Sequence, residues 1–339
     1  MNAILSLVLG LLVVGLIWSF FIKPRRFGAV AGGVDRTKTI AYSKPVELYS
    51  NSFSHCSRKA RLVLAELGIE AQHHPIDLIE TGWYQTVSPA YLQVNPSGVV
   101  PTLVHNGHPV YESDDILNYA QAIADEGAPQ LVPDDPQLEG KMQDWLHFCA
   151  IVSADLMGGM KERAGACIPG LTMPIFITSI QYVPLPTVLK GFLTHFTFKS
   201  PALFTTFKLL GLRRVIRLEK LAELIHNSRD HMSTHLETFN QTLKAHGEPW
   251  ILGSSYSLAD VSIGCLLLRL EETGWLSWFA EKGQIAEVLD YYERIKARPA
   301  WTQAITDHAH PIVTKASADL MSAKTADPAL AEAIYGAPR

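Results

Sequence analysis

Residues 46–70 read VELYSNSFSHCSRKARLVLAELGIE, a strand, a polar turn and a helix in close succession. The apolar run 46–50 predicts the strand, and the apolar spacing over 57–67 predicts a helix with one buried face. Gly68 is a typical residue to end such a helix. Cys56 would then lie at the helix N-terminus, where free amides and the helix dipole favour a thiolate. A reactive thiol is therefore one interpretation of Cys56. The other is a small buried hydrophobic residue, which is what a lone cysteine more often is.

The segments after this stretch predict a small mixed sheet with helices packed on it. Asn106-Gly107 is a strong hairpin turn signal between two short apolar runs. Ser113 can cap a following helix through its hydroxyl. The predicted elements are strands at 71–77, 102–105 and 109–111 and a helix from 113 to about 126. This β-α-β, hairpin, helix order is thioredoxin-like, so we predict a thioredoxin-like α/β domain over 45–127.

The second half of the chain predicts helices almost throughout. A proline- and aspartate-rich stretch at 128–137 suits a linker, and an all-α domain is predicted over 138–312. Ser257 and Asp260 have the spacing of a capping box, ahead of a run so apolar that its helix should be central. Residues 313–339, rich in alanine and polar groups, predict a flexible tail.

An apolar and basic insertion interrupts the helical half at 164–218. It has no acidic residue, and residues 164–189 carry no charge but four prolines. Basic and aromatic residues mixed on an apolar segment suit a surface that lies against anionic lipid. The alternative is an extension that wraps the domain and lines a deep apolar pocket. The two interpretations are compatible.

The N-terminal segment 1–26 predicts a single transmembrane helix. Residues 3–22 are uncharged and long enough to cross the hydrocarbon layer, and Lys23, Arg25 and Arg26 follow directly. This charge pattern favours a single-pass membrane protein with its body on the cytoplasmic side, tethered by residues 27–44. A cleaved signal peptide is the rival interpretation, but the run is too long and its basic flank is on the wrong side.

Composition excludes several classes of function. The 339 residues have a formal charge of −4, which argues against nucleic acid as a partner. The four cysteines are far apart in sequence, and no dense His/Cys cluster occurs, so we predict no metal site and no disulfide scaffold.

A second constellation joins Ser54 and Cys56. Pro101 stands at the entry to a strand, where it can be cis and can leave the amide and carbonyl of Val100 free for an extended peptide. Eleven residues on, Glu112 and Ser113 open a helix whose N-terminus can hold a carboxylate while Glu112 holds an ammonium. A peptide backbone, a carboxylate, an ammonium and a thiol together describe glutathione. Each residue taken alone also has a purely structural interpretation, as a turn or a cap.

The motifs VNPSGVVPTL, YESDDIL and GSSYSLADVSI make residues 45–310 resemble the glutathione transferases. The SHCSRKARLVL stretch resembles the start of the zeta class and of the bacterial reductive dehalogenases. The resemblance implies an N-terminal thioredoxin-like domain that binds glutathione, a helical C-terminal domain that binds the second substrate, and a homodimer.

The resemblance also implies roles for single residues. Ser54 would stabilise the glutathione thiolate, and Cys56 would form a mixed disulfide with glutathione in a reductive reaction. Val100 would pair with the cysteinyl backbone beside a cis Pro101. The γ-glutamyl end would be held by Glu112 and Ser113.

We therefore predict a membrane-anchored, glutathione-dependent transferase. Its other partners would be an apolar electrophile and membrane lipid, and its reaction could be transfer, reductive dehalogenation or deglutathionylation. A zeta-like cis–trans isomerase and a catalytically silent scaffold of the same fold are the alternatives.

Overall fold

The computed structural model describes residue 10 and residues 30–151, 156–281, 283 and 285–336. Its first half is a five-stranded mixed sheet in the order β1-β5-β4-β2-β3. The β2–β3 pair is parallel, and the remaining pairs are antiparallel. The strands are β1 (Gly33–Val34), β2 (Val46–Ser50), β3 (Gln72–Pro75), β4 (Thr102–His105) and β5 (His108–Tyr111).

Three helices pack on this sheet. They are α1 (His55–Glu66), α2 (Pro89–Val94) and α3 (Ser113–Ile123). Leu48, Leu103 and Val110 are fully buried in the sheet, and Leu62 and Val63 of α1 are fully buried with them in one apolar core. The predicted β-α-β, hairpin, helix order of a thioredoxin-like domain is therefore confirmed.

The second half is helical. Helix α11 runs through its centre with residues 258–270 all buried, and Ser257 and Asp260 form the predicted capping box. The helices are α4 (Pro136–Cys149), α5 (Leu156–Gly159), α6 (Ala164–Ile180), α7 (Leu185–Thr194), α8 (Lys199–Leu210), α9 (Leu212–Val215), α10 (Glu219–His246), α11 (Leu258–Glu272), α12 (Trp275–Ala280), α13 (Ala286–Lys296), α14 (Pro299–Trp301), α15 (Pro311–Ala326) and α16 (Pro328–Tyr335).

The insertion 164–218 packs against the first domain. It contributes α6 to α9, and its apolar side chains form a second core with Ile79, Tyr84 and Val87 of that domain. The Tyr84 hydroxyl donates to the carbonyl of Val188 on α7 at 3.2 Å. The insertion therefore wraps the domain, in agreement with the interpretation of residues 164–218 as an extension that packs on the protein.

Two segments differ from their predicted state. The stretch 313–339, predicted as a flexible tail, forms most of α15 and all of α16, because Leu320, Leu330 and Ile334 are buried in the main core. Part of the predicted tether 27–44 forms β1, whose pairing with β5 covers one edge of the sheet.

The predicted membrane anchor at 1–26 lies outside the described residues, apart from Gly10. Across the ranges that the structure describes, no single helix is long and apolar enough to cross a bilayer. Helices α6 and α7 pass that test only as a pair, and the chain bends by 117° between them. The predicted localisation, a single-pass membrane protein with a cytoplasmic body, is therefore wrong on the residues described.

Candidate active site

Strand register brings the predicted site residues to the same end of three neighbouring strands. Tyr49 of β2 lies opposite Thr102 of β4, and Leu103 of β4 lies opposite Val110 of β5. The chain after β2, the chain before β4 and the turn after β5 therefore leave the sheet side by side. These three segments contain Ser54 and Cys56, Val100 and Pro101, and Glu112 and Ser113.

Ser54 is the N-cap of α1. Its Oγ accepts a hydrogen bond from the backbone N–H of Ser57 at 3.2 Å, and its own N–H donates to Asn51 Oδ1 at 3.0 Å. The side chain is partly exposed. A hydroxyl that accepts one bond keeps its proton for donation, so Ser54 can donate to an anion such as a thiolate.

The Cys56 thiol follows in the first turn of α1 and is partly exposed. Burial raises its pKa above the ordinary value, and the charges of Asp114 and Glu112 act in the same direction. The charge of Lys59 and the nearby Ser113 hydroxyl oppose this rise without cancelling it. The predicted lowering of the Cys56 pKa is therefore wrong, because desolvation outweighs the opposing effects of Lys59 and Ser113.

Ser113 links the two constellations, since its hydroxyl lies near enough to the Cys56 thiol to act against the rise of the thiol's pKa. Glu112 before it has a φ of 64°, a conformation that costs a residue other than glycine about 1–3 kcal/mol. Such strain is concentrated at ligand clamps and active sites. Desolvation and the nearby Asp115 and Asp114 raise the pKa of Glu112.

The Val100–Pro101 peptide bond is cis, as predicted. Strand β4 begins at Thr102, so the backbone N–H and C=O of Val100 form no sheet hydrogen bond. No other backbone hydrogen bond within the described ranges uses them. These two groups are therefore available to an extended peptide laid along the end of β4.

Arg269 is a residue that the sequence analysis missed. It projects from α11 of the helical domain, donates from Nη2 to the carbonyl of Phe53, and holds its guanidinium 3.8 Å from the Phe53 ring. It therefore fixes the loop immediately before Ser54. An arginine within the otherwise apolar VSIGCLLLRL run is the sequence signal that could have indicated it.

Two family models match the chain. The glutathione S-transferase N-terminal domain matches residues 53–123, and the glutathione S-transferase C-terminal domain matches residues 219–303. The first match includes all six predicted site residues: Ser54, Cys56, Val100, Pro101, Glu112 and Ser113.

Two relatives match about three quarters of this chain at low identity, and a third matches a shorter stretch at higher identity. Tetrachloro-p-hydroquinone reductive dehalogenase of Sphingobium chlorophenolicum is 25% identical over 277 residues, with 76% of this chain and 95% of that protein covered. Human ganglioside-induced differentiation-associated protein 1-like 1 is 24% identical over 281 residues, with 77% and 73% covered. Rat maleylacetoacetate isomerase is 39% identical over 94 residues, 28% of this chain and 42% of that protein.

Solved structures share the fold. The β-etherase LigF of Sphingobium sp. strain SYK-6 superposes with a TM-score of 0.61 at 19% identity, covering 78% of this chain and all of that one. Glutathione transferase F7 of Populus trichocarpa superposes with a TM-score of 0.53 at 17% identity, covering 78% and 99%.

Proposed function

Since this chain carries both glutathione S-transferase domains and is an enzyme of that kind with glutathione as its co-substrate, we propose that it transfers glutathione to an apolar electrophile. The predictions of the enzyme and of its co-substrate are confirmed by the two domain matches. The substrate class, the residue roles and a reductive branch are our proposal. One observation supports it: the register of β2, β4 and β5 brings the segments that carry Ser54, Val100 and Ser113 to the same end of the sheet.

Glutathione is held as an extended peptide. Its cysteinyl backbone pairs with the N–H and C=O of Val100, beside the cis Pro101. Its γ-glutamyl carboxylate lies at the N-terminus of α3 and the Ser113 hydroxyl, and its ammonium lies at Glu112. The cysteinyl sulfur then lies near the start of α1, within reach of the Ser54 hydroxyl.

Ser54 stabilises the thiolate of bound glutathione. Its hydroxyl proton donates to the sulfur, while its Oγ continues to cap α1 through Ser57. The thiolate attacks an electrophilic carbon of the second substrate and displaces a leaving group such as chloride, which departs with the electron pair. Stabilisation is worth most where charge develops and water is excluded.

Cys56 supports a reductive branch of the reaction. After transfer, the Cys56 sulfur attacks the glutathionyl sulfur of the adduct, and the carbon–sulfur bond breaks. The carbon takes the electron pair and the thiol's proton, leaving a Cys56–glutathione disulfide. A second glutathione exchanges with this disulfide, which releases oxidised glutathione and restores the thiol. Two glutathiones are thus oxidised for each substrate reduced.

The position of the insertion supports an apolar acceptor. Helix α7 and the chain after it bring Val188 and Phe196 against the first domain at Tyr84 and Gly98. Gly98 lies two residues before Val100, so the apolar insertion comes close to the loop that carries Val100.

A homodimer is the oligomeric state that we propose, on the resemblance alone.

The test uses purified protein with glutathione and a chloro-aromatic acceptor. We expect calorimetry to detect glutathione binding, and Ser54→Ala to lower kcat about 100-fold, as removal of one anion-stabilising donor does. The matched control Ser52→Ala, two residues away, should behave as wild type. Cys56→Ser should retain transfer but accumulate the glutathionyl adduct. Absence of binding at millimolar glutathione would overturn the proposal and leave a scaffold of the same fold.

A second candidate is cis–trans isomerisation at the same site. The local 39% identity to a maleylacetoacetate isomerase favours it. Wild-type protein should be given maleylacetoacetate with glutathione. Isomerisation faster than transfer to the chloro-aromatic acceptor would favour this candidate over the transferase.

A further inference from the structure

Two buried asparagines each hold one loop of the site. Asn51 follows β2 and Asn95 follows α2, and their exposed fractions are 2% and 1%. Each side chain uses both the oxygen and the nitrogen of its amide in hydrogen bonds. A buried amide whose groups are all paired resists displacement, because any broken bond leaves a desolvated polar group without a partner.

Asn51 fixes the loop that carries Ser54. Its Oδ1 accepts from the N–H groups of Phe53 at 2.8 Å and Ser54 at 3.0 Å. Its Nδ2 donates to the carbonyl of Ile76 at 2.8 Å and to Thr81 Oγ1 at 2.9 Å. The oxygen end therefore holds the Ser54 loop, and the nitrogen end ties it to the turn after β3.

Asn95 fixes the loop that carries Val100, but with the opposite end of its amide. Its Nδ2 donates to the carbonyl of Val99 at 3.0 Å and to Thr102 Oγ1 at 2.9 Å. Its Oδ1 accepts from the N–H of Ser97 at 3.0 Å and from the Ser97 hydroxyl at 2.6 Å. The nitrogen end therefore holds the carbonyl immediately before Val100.

We propose that Asn51 and Asn95 are positioning residues with separate effects. This inference rests on the proposed function. Asn51 acts through Ser54 and controls the reactivity of the glutathione thiolate. Asn95 acts through Val100 and controls the affinity for glutathione. The two sets of bonds have no residue in common, so their effects should be independent.

Aspartate substitutions distinguish positioning from general stability. Asn51→Asp keeps an oxygen to accept from Phe53 and Ser54, so the Ser54 loop keeps its anchor. Asn95→Asp replaces the nitrogen that donates to Val99 with an oxygen that repels that carbonyl. Both changes disturb a buried network, yet only the second removes an amide bond to its own loop. The Val99 carbonyl then keeps only its hydrogen bond from the Tyr91 hydroxyl, at 2.6 Å.

The experiment measures three quantities in the full-length protein: the glutathione Kd by calorimetry, the pKa of the bound thiol by thiolate absorbance, and kcat with the chloro-aromatic acceptor. Asn51→Ala should lower kcat about 100-fold, as a misplacement near 1 Å does. It should also raise the thiol pKa and change Kd little. Asn95→Ala should weaken Kd about 10-fold, the effect of one lost hydrogen bond, at an unchanged thiol pKa.

The aspartate variants and a control complete the test. Asn51→Asp should lose less kcat than Asn51→Ala, whereas Asn95→Asp should match Asn95→Ala in Kd. The control Asn240→Ala removes two side-chain bonds to the N–H groups of Glu287 and Val288 in the helical domain, at 2.9 and 3.3 Å. It should leave all three quantities unchanged.

The inference is overturned if the Asn51 and Asn95 variants change Kd and thiol pKa together, in proportion to their loss of stability in urea. It is equally overturned if Asn51→Asp and Asn95→Asp change the glutathione Kd and kcat to the same extent. This comparison stands even where an alanine variant does not fold. A wild-type protein that binds no glutathione would instead overturn the proposed function.

Discussion

Arg58 and Glu272 are joined by two hydrogen bonds, of 2.8 and 2.6 Å, across the boundary between the sheet domain and the helical domain. Arg58 lies on α1 one turn after Ser54, and Glu272 ends α11. The pair is largely buried, with side chains 5% and 17% exposed. The charges of Arg58 and Arg269 lower the pKa of Glu272 although burial opposes this.

Breaking this pair should destabilise the protein strongly. We expect Arg58→Ala to lower the free energy of unfolding by about 3 kcal/mol, because Glu272 is left buried with only the 3.4 Å contact to Arg269 in place of two short hydrogen bonds. Urea denaturation measures this loss. Lys315→Ala is the control, since its exposed ion pair with Asp319 should contribute less than about 1 kcal/mol. An equal loss in both variants would contradict the expectation.

Glu47 should make stability depend on pH under acid conditions. Burial alone would raise its pKa, but hydrogen bonds from Ser43 and Lys44 and the nearby His74 lower it to about 2. The stabilisation is complete above the unfolded pKa of about 4.5 and is lost as pH falls toward 2. We expect about 3 kcal/mol from this group. Urea titrations between pH 2 and about 5 should show a flatter profile for Glu47→Gln.

Glu80 should make stability depend on pH in the opposite direction to Glu47, so that stability falls as pH rises. Burial raises its pKa to about 7, only partly offset by a backbone hydrogen bond and Arg269. The folded state therefore binds the proton more tightly, and stability falls as pH rises from the unfolded pKa of about 4.5 to about 7. Glu80→Gln should remove this fall, worth at most about 3 kcal/mol. A variant as pH-dependent as wild type would contradict this assignment.

Gly191 should be required for docking of the insertion. A Cβ at this position would lie 2.5 Å from the Tyr84 hydroxyl, so Gly191→Ala forces α7 and the first domain apart. We expect a loss of about 1–3 kcal/mol in urea denaturation, the usual cost of overpacking. Tyr84→Ala removes the clashing hydroxyl together with the ring carbons, which would lie 2.6 and 3.0 Å from the added Cβ. The double variant should therefore lose less than the sum of the two single changes; strict additivity would show that the contact is not made.

Locally encoded features could be predicted from the sequence. Strand β2, helix α1, the Asn106-Gly107 turn and the Ser257–Asp260 capping box all depend on residues close together in the chain. Strand order in the thioredoxin-like arrangement predicts that the segments carrying Ser54, Val100 and Ser113 lie at the same end of the sheet. The roles of these residues in binding glutathione stay predictions.

Features that depend on distant packing could not be predicted. Arg269 reaches Phe53 from the other domain, 216 positions away in the sequence. The tail forms helices because Leu330 and Ile334 find a core built by other segments. The pKa of Cys56 is set by how completely neighbouring elements exclude water, a quantity that its place at a helix N-terminus does not reveal.

Strand β1 has a consequence for solubility. An uncovered sheet edge offers unpaired backbone groups to other chains and promotes aggregation. Residues 33 and 34 occupy that edge beside β5. The opposite edge, β3, includes Pro75, and its His73 ring packs 4.6 Å from His308. Deletion of the residues before 36 would remove β1 and expose β5 to intermolecular strand pairing. The exposed strand would directly precede the turn that contains Glu112.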